Sequence, residues 1–187
     1  LNTTLIDFFE ELSYKFRMTE KIVIIGGGQA AVSCVSQLRS TGFDGKISII
    51  CEENSYPYQR PPLSKKFLTG DILAERLQLK NLDYYKTNNI QVLLANRAVK
   101  IDRDNKKIYL QNGEKIDYTK LVIAIGSKAK KAPLSDRDNY SNAYYLRNLH
   151  DAKNFKNQLH SGKKILIIGG GYLGLEVASV CCSFGMK

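Results

Sequence analysis

The sequence predicts an α/β fold in which one strand–turn–helix unit is used twice, with short strands forming a small antiparallel meander between the two copies. Three observations carry that expectation. The segment KIVIIGGGQAAVSCVSQLRSTGF at 21–43 returns as KILIIGGGYLGLEVASVCCSFGM at 164–186, an offset of 143 residues throughout. Each copy sets glycines directly after an apolar run of strand length and before a stretch of small and apolar residues that suits a helix. Between the copies, short β-rich segments alternate with polar turns.

Residues 1–19 are expected to be an upstream extension, with Met18 as the true start just before the first strand. Residues 1–17 carry Asp7, Glu10 and Glu11 among apolar residues and lack the small-residue cleavage pattern of a signal peptide. The alternative is a genuine helical extension with Leu5, Phe8, Phe9 and Leu12 on one face. Lys21–Ile25 is the first strand, and a glycine can end the helix that follows it. A second strand is expected at 46–51. In YPYQRPPLSKKFLTGD at 56–71, Pro61 and Pro62 fix backbone angles and LSKKFL can start a helix. Short strands are expected at 91–95, Ala98–Asp102 and Lys107–Leu110, joined by polar turns that include Asp104-Asn105. Residues 121–125 are expected to form a buried strand ended by Gly126, and 150–160 a helix leading into the second copy. The expected domains are a first nucleotide-binding segment at 20–140 and the start of a second at 141–187, truncated at its C-terminal side almost where it begins.

The chain has 187 residues, 43% hydrophobic and 25% charged, which is enough apolar content for one or two cores and argues against disorder or a fibre. Its longest purely apolar runs, such as 22–25 and 165–168, are strand-sized and stop at glycines, far short of the roughly 20 residues of a membrane span. A soluble, cytoplasmic protein with no membrane partner is expected. Cys34, Cys51, Cys181 and Cys182 include neither a C-x-x-C pair nor zinc-ligand spacing, so no metal or redox role is assigned to them. The net charge of +10 would attract an acidic partner, but the lysines are spread out. The nearest cluster, Lys128, Lys130 and Lys131, is too short for a nucleic-acid patch and reads as solvated surface.

Gly26, Gly28 and Ala31 fit G-x-G-x-x-G/A directly after a strand. The first glycine permits the tight turn, the second lets backbone approach a diphosphate, and the small third residue lets helix and strand pack closely. The diphosphate then faces the helix N-terminus. Glu52 falls at the end of the next strand, where a carboxylate can accept hydrogen bonds from ribose hydroxyls. Gly169, Gly171 and Gly174 repeat the pattern, so the chain carries two Rossmann-like dinucleotide sites, and two such sites suggest two cofactors exchanging electrons.

With RPPLSK, Tyr145-Leu146-Arg147 and GGGYLGLE in the same order, residues 20–187 resemble the ferredoxin reductase group of the pyridine nucleotide-disulfide oxidoreductases. That group includes the reductases of putidaredoxin, of rubredoxin and of aromatic-ring dioxygenases, with apoptosis-inducing factor as a relative. The resemblance implies that the first domain binds FAD and the second NAD(H), NADP(H) not being excluded. It implies that Ala30 and Glu52 meet the FAD pyrophosphate and ribose, that Arg60 and Lys65 lie by the flavin, that Ala98 meets adenine through backbone, and that Arg147 borders the site. The second fingerprint, with Gly169, Gly171, Tyr172, Leu173 and Gly174, would take NAD(H), Glu176 lying near the nicotinamide end. Lys65 and Glu176 are the expected catalytic pair. A cation beside the isoalloxazine favours its reduced form, and a carboxylate partner avoids an isolated buried charge. The family's A-T-G after the apolar strand is here Ala124-Ile125-Gly126, which removes a hydroxyl but lets Gly126 approach the cofactor.

Disulfide reductases of the wider superfamily carry a cysteine or a cysteine pair where this chain has RPPLSK, so no thiol relay is expected. The implied reaction is hydride transfer from NADH to FAD, then single-electron transfers to an acidic [2Fe-2S] ferredoxin or a rubredoxin. Two other readings remain open. One is a related NADH oxidase or nitrite-reductase-type flavoprotein; the other is a non-catalytic FAD protein like apoptosis-inducing factor. Residues 1–187 alone are expected to show no turnover, because an unfinished parallel sheet leaves strand edges unpaired.

Overall fold

The computed structural model describes residues 20–130 and 142–187. The expected upstream extension at 1–19 and the cluster residue Lys131 lie outside the described residues. The chain forms two compact units that do not follow one another simply along it. Unit one contains residues 20–58 and Gln78–Gly126. Unit two contains Gln59–Leu77 together with 127–130 and 142–187.

Unit one is built on a parallel sheet of β1 (Lys21–Ile25), β2 (Lys46–Ile50), β3 (Ile90–Leu93) and β7 (Lys120–Ile123), ordered β3-β2-β1-β7. The central strand β1 is nearly all apolar because both its faces are covered: Ile22, Val23 and Ile24 are buried. Burying each such side chain contributes roughly 1.5–3 kcal/mol. On one face, helix α1 (Gln29–Ser40) and Tyr85 pack against Ile22, Ile24, Ile47 and Ile49. On the other, Val23, Ile25 and Ile50 meet Ile108 and Leu110 of the meander.

The meander is the antiparallel sheet β4 (Ala98–Asp102), β5 (Lys107–Leu110) and β6 (Lys115–Asp117). The strand expected at 91–95 lies elsewhere, as β3 on the edge of the parallel sheet. It follows helix α3 (Leu82–Thr87), whose Asn81 cap accepts a hydrogen bond from the Tyr84 amide at 2.9 Å, and the helix returns the chain parallel to β2. Neither α3 nor β6 is evident from the sequence, since both are shorter than two periods of their own pattern.

In unit two, Pro61–Ser64 is a 3₁₀ turn that runs into the single-turn helix α2 (Lys66–Thr69), as the prolines and LSKKFL suggest. Gly70 ends it in a left-handed conformation at φ +91°, and the Lys156 ammonium donates to the Phe67 carbonyl at 2.9 Å. Helix α4 (Leu149–Lys156) opens with a capping box: the Asp151 amide donates to Asn148 Oδ1, and the Asn148 amide donates to Asp151 Oδ2. Helix α5 (Tyr172–Ser183) follows the second glycine turn. Leu68, Phe155, Leu159, Val177, Val180 and Cys181 form the unit's core, with Ile165 and Ile167 against it.

The apolar run of the second copy does not complete a strand. Among the described residues, only the Ile165 amide, donating to Lys187 O, and the Lys187 amide, donating to Lys163 O, begin a parallel pairing, both at 2.8 Å. Leu166 and Ile168, on the opposite face from Ile165 and Ile167, are exposed. Among the described residues, no helix is long and apolar enough to cross a membrane.

Candidate functional site

In unit one the glycine turn is held by its surroundings. Gly26 sits at φ +117°, and a Cβ there would lie 2.2 Å from the Ala124 carbonyl oxygen, so the close approach of β1 and β7 admits only glycine. The Gly26 amide donates to Ile50 O at 2.9 Å, anchoring the turn to β2. Ala31 is fully buried beneath it, whereas Ala30 is exposed in the first turn of α1.

Gly28 caps α1 with extended backbone and no side-chain acceptor, and space is open where its Cβ would stand. An uncapped helix start with an open approach fits a diphosphate, whose oxygens could accept the first-turn N–H groups. Glu52 is exposed just beyond β2, and Arg97 donates to its Oε1 at 3.4 Å. Arg97 directly precedes Ala98, the half-buried first residue of β4, so one ion pair ties the acid to the neighbour of the expected adenine contact. Gly126, at φ +65°, is exposed after β7.

Unit two repeats the turn. Gly169 has φ +119°, Gly171 caps α5 with extended backbone and no side-chain acceptor, and Leu175 N donates to Gly171 O at 3.1 Å. Gly174 is the tight position here: a Cβ would meet Gly169 O at 2.3 Å. Tyr172 and Leu173 are exposed, and so is the approach to Gly171. These features fit a second diphosphate.

Several of the chosen charged residues of unit two are held by specific partners. Lys65 donates to Glu176 Oε1 at 2.8 Å, and Ser64 Oγ donates to Glu176 Oε2 at 2.5 Å. These two hydrogen bonds, the lysine's first, hold the Glu176 carboxyl below its ordinary value. Arg60 donates to the Arg147 carbonyl at 3.0 Å, while Arg147 Nε donates to Ser127 O at 3.0 Å and its amide to Asp151 Oδ2 at 3.0 Å. The four residues chosen from RPPLSK, YLR and GGGYLGLE, namely Arg60, Lys65, Arg147 and Glu176, thus form two linked pairs in one unit. Sequence reasoning missed Ser64 and Arg97. Each adjoins a chosen residue, and a serine beside a lysine after two prolines was the available signal for the first.

The cysteines stand apart from this arrangement. Cys51 lies under Gly27, and burial, followed by the nearby Glu53 charge, pushes its thiol up to about 12.

Residues 20–187 match the family model described as pyridine nucleotide-disulphide oxidoreductase. The chain is 38% identical over 166 residues to a rubredoxin-NAD(+) reductase of Pseudomonas putida, covering 89% of this chain and 43% of that protein. It is 36% identical over 169 residues to putidaredoxin reductase CamA of Pseudomonas putida, covering 89% and 40%. The crystal structure of a covalent putidaredoxin reductase–putidaredoxin complex superposes with a TM-score of 0.86 at 36% identity, covering 90% of this chain and 41% of that one. The chain therefore spans about two fifths of the length of these relatives. The family model runs through both glycine turns and the segment between them, and the chain belongs to the pyridine nucleotide-disulphide oxidoreductase family.

Proposed function

We propose that this chain supplies nucleotide-binding parts of a flavin reductase that takes electrons from NADH and passes them to a ferredoxin-type iron–sulfur protein. The observation that carries this reading is the matched pair of glycine turns, one in each unit, each opening an uncapped twelve-residue helix. Two dinucleotide sites suit two cofactors that exchange electrons. The likeness to rubredoxin and putidaredoxin reductases supports the choice of acceptor. RPPLSK in place of a cysteine pair supports electron release without a thiol relay.

In this reading residues 20–140 provide the first FAD-binding segment and 141–187 the start of the NAD(P)H-binding domain. FAD, when bound, supplies hydride acceptance and single-electron release. Gly26 and Gly28 open the turn, Ala30 lies at the diphosphate, Glu52 accepts from ribose, the Ala98 backbone meets adenine, and Gly126 allows close approach. Arg60, Lys65 and Arg147 serve the flavin end. Gly169, Gly171, Tyr172, Leu173 and Gly174 serve NAD(H), NADP(H) being the alternative. Lys65 keeps a positive charge where negative charge develops, and Glu176 holds that lysine in place. The net charge of +10 suits an acidic acceptor, and a cytoplasmic setting suits the reduced state of four cysteines that form no disulfide.

The test is anaerobic mixing of NADH with the flavin-loaded holoprotein, then with putidaredoxin or a rubredoxin. Flavin bleaching, followed by acceptor reduction that slows as salt rises, is the expected result. Peroxide formed in air in preference to acceptor reduction would replace this reading with an NADH oxidase. Flavin that NADH does not bleach, with salt-sensitive DNA binding, would replace it with a non-catalytic protein.

A further inference from the structure

The Lys65 side chain is about half exposed, at 52%, and a lysine's four-carbon stem does not by itself fix where its ammonium stands. Its position comes from Glu176, on the first turns of α5. A glutamate also has rotatable bonds, so a carboxylate held through one oxygen would swing. Here both oxygens are taken, by donors from consecutive residues of one turn: Lys65 on Oε1 and Ser64 on Oε2.

Ser64 is 3% exposed, and the 3₁₀ turn Pro61–Ser64 sets its backbone. Its single hydroxyl proton has two acceptors in reach, Pro61 O at 3.4 Å and the charged Glu176 oxygen at 2.5 Å. The shorter, charge-assisted bond prevails. A buried hydroxyl aimed at a carboxylate is more strongly constrained than the ammonium it accompanies.

We propose that Ser64 is a positioning residue, whose buried hydroxyl fixes the Glu176 carboxylate and through it the place of the Lys65 ammonium. This deepens the proposed function and rests on Lys65 and Glu176 acting as a pair beside bound flavin. The role differs from simple packing, because it runs through Glu176 and vanishes when Lys65 is gone.

The experiment compares Ser64→Ala and Ser64→Thr with the unchanged holoprotein by two readouts. Carbon-13 titration of glutamate carboxyls, with Glu176→Gln to assign the signal, is expected to show the Glu176 pKa moving up in Ser64→Ala. One of the two donors favouring its charged form is then lost, and Ser64→Thr, which keeps the hydroxyl, restores it. Stopped-flow flavin reduction by NADH is expected to slow about tenfold at saturating NADH in Ser64→Ala, with KM within about twofold. In a Lys65→Met background the same change costs less than about twofold. An unmoved Glu176 titration, or a full tenfold loss without Lys65, overturns the proposal. Should the protein bind no flavin, the proposed function fails while the titration still decides the part played by Ser64.

Discussion

Gly26 turns at φ +117° after a strand paired on both sides, by β2 and β7. Gly169 turns at φ +119° after a segment whose backbone pairing, among the described residues, is confined to Lys187. The two turns match while their strands do not. Glycine geometry and an uncapped helix start are therefore local properties, carried by a few residues and the helix they open. A strand is not local, because its backbone donors and acceptors are satisfied only by neighbours.

Substitutions at the two turns should separate these contributions. Gly26→Ala drives a Cβ to 2.2 Å from the Ala124 carbonyl, between backbones that sheet pairing prevents from moving. A loss of more than about 4 kcal/mol in urea unfolding is expected. Gly169→Ala meets nothing within 4 Å and carries only backbone strain, roughly 1–3 kcal/mol. Equal losses would mean that the surroundings of Gly26 yield, and the contrast would collapse.

The strands offer a smaller version of the same test. Ile24→Ala, at a fully buried position in β1, is expected to cost about 3 kcal/mol. Ile167→Ala removes a side chain that only partly packs against the unit-two core and should cost about 1 kcal/mol. Thermal denaturation of both variants checks the ranking.

The smallest effect concerns acid. The carboxyl of Glu176 is held below its ordinary value of 4.5 by hydrogen bonds from Lys65 and then Ser64. Its stabilising effect is complete above that ordinary value and is lost as pH falls through the lower folded value. Hydrogen exchange of the α5 amides should accelerate over that acid range in the unchanged protein, and Glu176→Gln should remove the dependence. The Glu52–Arg97 pair beside the first turn, more than half exposed on both sides, should leave α1 exchange unaffected.

Period and punctuation made β1, β2, β4, β5, the α1 and α5 helices and both glycine turns legible from sequence. What stayed hidden was partnership. Residues 91–95 read as one more short strand, and only the cap at Asn81 and helix α3 reveal why the strand, observed at Ile90–Leu93, joins the parallel sheet. Lys65 and Glu176 were chosen by resemblance, and pairing across the chain brings them within 2.8 Å. For Ser64 the sequence offers only its place beside Lys65 after two prolines, because a serine's role depends on the acceptor it finds, and here that acceptor is 112 residues away.

That separation sets a timetable for a chain made from its N-terminus. At about 5–20 residues per second, roughly 6 to 20 seconds pass between the synthesis of Ser64 and that of Glu176. For most of that interval Leu68 lacks Phe155 and Leu159, and Val177 comes only after it; throughout, Lys65 has no carboxylate from α5. In segment 59–77 Leu68 thus stays uncovered by these partners until the last of them is made.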